Sequence, residues 1–120
     1  MKRLNIVCWS LLFLISCSDN TKPEGLLDED KMVNVLIDIH LTEGVASALP
    51  IAYDSSQVLY KLLEKEVFVK HQVEDSVFTQ SLRYYLQYPL IMDKMYAQII
   101  DSLASKEIEG INKKGDEEIF

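Results

Sequence analysis

Asp38, His40 and Glu43 are the polar residues whose types and spacing come closest to chemistry in this chain. Three residues apart, His40 and Glu43 share a helix face, the spacing at which an imidazole and a carboxylate can act on a common ion or proton. Metal-binding helical bundles need that motif on two helices together with two further Glu. The only other histidine, His71, has no repeat of the motif around it. The residues therefore predict no metal site. Instead His40 is expected at the edge of a core, hydrogen-bonding across it toward the neighbourhood of Asp38 or a tyrosine hydroxyl, so that Asp38 and His40 form a candidate polar core.

Tyr84, Tyr85 and Tyr88 make the second constellation. Tyr84 and Tyr88 are four apart, on a face rotated away from Phe78, Leu82 and Tyr85. Exposed, that pair would be an aromatic platform for a sugar or peptide; packed on a neighbouring helix, it would keep only its hydroxyls at the rim. Both readings stand at this point, and Tyr84 and Tyr88 are the candidate binding surface. Nucleophilic catalysis lacks its parts. There is no Gly-x-Ser-x-Gly elbow, no glycine-rich phosphate loop and no cysteine after Cys17. The sequence leads us to expect a protein that is not an enzyme and needs no cofactor.

The elements that must position these residues are helical. From Leu26 onward the apolar residues recur at helical spacing, and Pro50 and Pro89 divide the run. Asp28 is a plausible N-cap for a first helix over Glu29–Ser47, with Met32, Leu36 and Ile39 as its stripe, widened by Val35, His40 and Ala46. Asp54 is placed to cap a second helix, ending near Lys70, that sets Val58, Leu59, Leu62, Leu63 and Val67 on one face. The β-branched Val67-Phe68-Val69 is too short to outweigh that periodicity. A third helix follows Glu74 or Asp75, aligning Phe78, Leu82 and Tyr85. Pro89 suits the first turn of a fourth, whose stripe is Met92, Tyr96, Ile99 and Leu103. The last residues, 107–120, are charged, contain Gly110 and Gly115, and are expected to form a flexible tail. The predicted fold is all-α, a small bundle of four short amphipathic helices over residues 26–106.

At 120 residues the chain has room for one domain. Its N-terminus reads differently from the rest. Lys2 and Arg3 precede the apolar run Ile6–Ile15, which as a helix would cover about 15 Å of a hydrocarbon core about 30 Å thick. That is the layout of a cleaved signal peptide over residues 1–16. The run ends in Leu14, Ile15, Ser16 and Cys17, which resembles the lipobox of bacterial lipoproteins. The resemblance implies that the Cys17 sulfur takes a diacylglycerol as a thioether and that its freed amine is acylated as well, with palmitate among the expected chains. Two or more chains hold a bilayer firmly where one binds only reversibly. Residues 17–25, with Pro23 and Gly25, then read as a flexible tether. Ser18-Asp19 is similar to the start of the acidic surface-export signal of Bacteroidetes lipoproteins, but Asn20 and Thr21 break the run.

The residues of the body also resemble a family. Met32, Val33, Leu36, Asp38, His40 and Leu41 in the first helix, Phe78, Ser81, Leu82, Tyr84 and Tyr85 in the third, Pro89, and the pair Met95-Tyr96 are similar to the pattern of the DUF4296 lipoproteins of Bacteroidetes. The resemblance covers about Leu26 to Leu103 and implies an envelope location and a helical fold; it implies no activity.

Charge narrows the partners. Removing Lys2 and Arg3 from the 12 basic residues leaves ten against 19 acids, a net charge of −9 after cleavage at Cys17. Nucleic acid is excluded, because it needs clustered Lys and Arg. The expected protein is anchored in the cell envelope, at the outer membrane on its periplasmic face or at the cell surface. It meets the membrane through lipid on Cys17 and serves as a binding or assembly accessory to another envelope protein, a peptide or a glycan. A peptide-holding, chaperone-like role is the alternative, and a small enzyme is the second alternative.

Overall fold

The computed structural model describes residues 22–117. The expected signal peptide, Cys17 and the first part of the tether lie outside the described residues. Within them the chain forms four helices and no strand: α1 Glu29–Ala48, α2 Tyr53–His71, α3 Asp75–Tyr85 and α4 Pro89–Glu117.

The local chemistry of the boundaries is largely as the residue types dictate. Asp28 caps α1, its carboxylate accepting from the Lys31 backbone N–H at 2.7 Å. Pro89 opens α4, and the Tyr88 carbonyl takes the amides of Ile91 and Met92. One expectation fails: Asp54 does not cap α2, which begins at Tyr53 behind Ala52, and lies instead in the first turn. There it still faces the positive end of the helix dipole. α2 ends with Gln72 in the left-handed region (φ 53°), its N–H on the Val69 carbonyl and the Val73 N–H on the Phe68 carbonyl. Val73 is buried beside Phe68 in the core, so an apolar contact reinforces the turn that a glycine would more commonly make.

α1 is the central element, packed against each of the other three helices. Its sequence explains why. The predicted stripe Met32, Leu36 and Ile39 is buried, and so are the flanking Val33, Val35 and Ile37. An apolar surface that broad has to be covered from several sides. α2 and α3 close one side, where the Phe68 and Phe78 rings meet at 5.2 Å. α4 closes another with Met92, Met95 and Ile99.

Two expectations about α2 and α4 need correction. Of the predicted α2 face, Val67 is buried, Leu59 and Leu63 are half-buried, and Val58 and Leu62 are exposed. The helix buries its C-terminal half most deeply; its N-terminal half meets α1 along one side, where Ser56 bonds to the Ala46 carbonyl, and leaves the Val58 and Leu62 side uncovered. Residues 107–117, expected to be tail, continue α4 as helix to Glu117. No proline interrupts them, and Glu109 and Lys113 stand at a spacing and in an order that favour helix, against a cost of about 1 kcal/mol for each of Gly110 and Gly115.

Candidate functional site

Asp38 sits on α1 with a side chain only 15% exposed. The last turn of α2 brings Lys70 and His71 to it: Lys70 Nζ and His71 Nε2 each lie 2.7 Å from Asp38 Oδ2. Lys106 Nζ of α4 stands 3.9 Å from Oδ1. An ionised carboxylate only accepts, so the His71 ring N–H donates to it. Burial would raise the Asp38 pKa, but the hydrogen bonds and charges of Lys70 and His71 outweigh it and hold the carboxyl below its ordinary value. The cluster ties three helices together.

His40 does not join it. Its Nδ1 is 3.5 Å from Glu43 Oε2, the pairing the spacing predicts, and its ring meets Tyr96 at 6.0 Å. Its Nε2 is buried with no hydrogen-bond partner. The candidate polar core thus divides: Asp38 pairs across the bundle with residues about 30 positions downstream, and His40 stays on the α1–α4 face. Among the described residues no three His, Cys, Asp or Glu converge as a metal ion would require.

The tyrosines occupy a middle position. Tyr84 and Tyr88 are half-buried, their rings 5.0 Å apart, and Tyr84 meets Tyr85 edge-on at 5.3 Å. Desolvation and the hydrogen bond with Tyr88 raise the Tyr84 pKa. Tyr85 is buried, and its hydroxyl donates to the Leu27 carbonyl at 2.8 Å. The Leu27 N–H in turn donates to Ser81 Oγ at 2.9 Å, and Ser81 Oγ donates to the Val77 carbonyl at 2.6 Å. Leu27 is therefore clasped by α3 at both its backbone N–H and its carbonyl. Lys22 lies over the Tyr85 ring, 6.0 Å from its centre, and Pro23 and Leu26 share a shallow cleft with Arg83 and Tyr84. The segment expected to be free tether is docked on α3 from Lys22 onward. Gly25 turns it there with a positive φ of 84° that suits only glycine.

A feature that residue types alone did not flag lies between α1 and α2. An open groove of about 360 Å³ is walled by Leu41, Thr42, Leu63, Glu66 and Val67 and closed at one end by Asp38 and Lys70. Val45 and Leu49 continue the Leu41 line one and two turns on, and Leu62 and Val58 continue the Glu66 line in the opposite direction along α2. All four are exposed, as are Leu41 and Ile51 at the groove and the hairpin tip. On the opposite side of the hairpin the Ser56 hydroxyl donates to the Ala46 carbonyl at 2.8 Å. Tyr60 donates to Glu64 there, its pKa pushed up to about 12 by burial and by Glu64 and Glu43. The signal in the sequence was the apolar face of Val58, Leu59, Leu62 and Leu63; it was legible as a face, not as an uncovered one.

Among the described residues no helix is long and apolar enough to cross a membrane. A family described as a domain of unknown function, DUF4296, matches residues 23–109. No curated protein and no solved structure matches the chain.

Proposed function

The chain belongs to the DUF4296 family, and from that premise we propose that it is a lipid-anchored cell-envelope protein working as a non-catalytic binding or assembly module. Cys17 carries the lipid in this reading, supported by the lipobox-like Leu14-Ile15-Ser16-Cys17 and the short apolar run before it. The protein sits at the outer membrane, as lipoproteins of Bacteroidetes with this sequence pattern would, and does not bind nucleic acid.

The observation that carries the binding role is the apolar groove of the α1–α2 hairpin. Its exposed continuation through Val45, Leu49, Val58 and Leu62 is the kind of contiguous apolar surface that soluble monomers seldom leave open without a use. An apolar helix face or an extended apolar peptide suits its shape. The net negative charge of the chain favours basic or neutral partners. The open form of the groove also supports the second reading, in which it holds unfolded peptide clients.

Photo-crosslinking from Leu62 in the native membrane tests both. One defined adduct, lost on Val58→Lys, is the outcome for an assembly module; a ladder of many sizes is the outcome for a peptide holder. Absence of any adduct would overturn the binding role. Uptake of labelled palmitate, abolished by Cys17→Ala, tests the anchor separately.

A further inference from the structure

The docked segment fixes which end of the bundle faces an anchor. Lys22 and Pro23 lie against Tyr85 and Tyr84, at the C-terminal end of α3. Four residues, and so five Cα-to-Cα steps, separate Lys22 from Cys17. Even fully extended they span at most roughly 18 Å, at about 3.6 Å per residue. α1 begins beside this point, at the Asp28 cap that follows Leu27, and runs away from it for 20 residues. That is about 30 Å at 1.5 Å per residue. The α3–α4 corner is therefore the near end of the molecule and the α1–α2 hairpin tip the far end.

The corner has the composition of a bilayer interface. From Tyr84 to Met92 the chain reads YYLQYPLIM, nine residues without a charge in a protein whose residues are 26% charged. Leu86 is 61% exposed and Leu90 85% exposed, the most exposed large apolar side chain of the described residues. Tyr88 lies between them in the chain, its ring 5.0 Å from that of Tyr84, and amphipathic rings of this kind settle at headgroup depth. Lys22 and Arg83 flank the stretch with positive charge; on the Lys22 side Asp28, Glu29 and Asp30 share a hollow with Tyr85 and Lys94, which engages Glu29 at 3.6 Å.

We infer that the exposed side of Tyr84–Met92, Leu86 and Leu90 with the half-buried Tyr84 and Tyr88, is a membrane-contact face, which seats in the headgroup layer of the same bilayer that holds the anchor. The inference rests on the lipid anchor at Cys17 proposed above. Two leucines would bind a membrane weakly on their own; a tether this short supplies the local concentration that makes such a contact persist. The seated protein stands with its α1–α2 groove directed away from the bilayer, open to a partner.

The anchored chain offers its own reporter, because the one tryptophan, Trp9, precedes Cys17. Leu90→Trp and, at the hairpin, Leu62→Trp each place a single indole at an exposed site. The lipidated proteins, purified from bacterial membranes, are reconstituted into vesicles of phosphatidylethanolamine and phosphatidylglycerol with acyl chains brominated near the headgroup. The expected result is that both proteins float with the vesicles, that the Leu90→Trp emission is blue-shifted and at least halved by the bromolipid, and that Leu62→Trp is unaffected. Equal quenching at the two sites, or none at either in protein that floats, overturns the contact face and leaves the anchor standing. A blue shift at Leu90→Trp without quenching reports a protein contact and overturns it as well. Protein that fails to float overturns the anchor, and the contact face with it.

Discussion

Removing the Ser81 hydroxyl tests whether the clasp on Leu27 stabilises the fold or merely decorates it. Ser81 is fully buried, and its oxygen is the acceptor for the Leu27 N–H at 2.9 Å. Ser81→Ala deletes that bond, about 1 kcal/mol net, and leaves a half-buried amide without a partner, which costs about 1–3 kcal/mol where water cannot reach it. Alanine's better helix propensity returns about 0.5 kcal/mol. The expected loss is about 2 kcal/mol, or roughly 8–16 °C in Tm for a domain of this size. Tyr85→Phe, which strips the hydroxyl from the Leu27 carbonyl, should cost about 1 kcal/mol. The double variant should lose less than the sum, since either change alone frees the same residue and lets water in. Ser105→Ala is the control. Ser105 makes the same i−4 bond, to the Asp101 carbonyl, but is exposed and holds nothing else. Urea unfolding followed by circular dichroism, with amide exchange at Leu27, reads all four. If Ser81→Ala unfolds at the same urea concentration as Ser105→Ala and leaves Leu27 exchange unchanged, the clasp reasoning is wrong.

Asp38→Asn should cost about 1–2 kcal/mol at neutral pH, the value of a hydrogen bond to a charged group discounted for the exposure of Lys70. Because the folded carboxyl titrates below its ordinary value, its contribution is fully present above about pH 4 and disappears as pH falls through the lower folded value. Acid unfolding curves of parent and variant should therefore converge at low pH; parallel curves would contradict the assignment. Met95→Ala, at a fully buried position on the inner face of α4, should lose about 2–4 kcal/mol in chemical unfolding, among the larger single-site effects in the chain. Gly44→Ala should raise stability by about 0.5–1 kcal/mol, since an added Cβ meets nothing within 4 Å and the site is inside α1; a drop in Tm would mean that this glycine serves a contact.

The helices could be read because their signals are local. Asp28, Pro89 and the stripe Met32, Leu36 and Ile39 act within a few residues of themselves, and the structure uses each as their types suggest. What covers an apolar face is not local. Val58 and Leu62 have the same spacing as Leu63 and Val67, and only the path of the rest of the chain decides that one pair is left exposed. The partnership of Asp38 with His71 was illegible for the same reason, since 33 positions separate them and His40 offered a nearer candidate. The breadth of α1 could have been noticed: in Val33–Ile39 five of seven residues are apolar, too many for a helix covered from one side. Leu26 and Leu27, at the edge of a polar stretch, were the corresponding sign that the tether docks.

The centrality of α1 also orders the way the chain assembles. Its contacts with α2 close across one short turn, so the first hairpin can form early, at little loop-closure cost. Its face toward α4, where His40 meets Tyr96 and Glu29 pairs with Lys94, has to wait for residues beyond Pro89. The helix that holds the bundle together is thus the one whose burial completes last. The folding barrier is expected to lie at the arrival of α4, so Met95→Ala should slow folding more than it speeds unfolding.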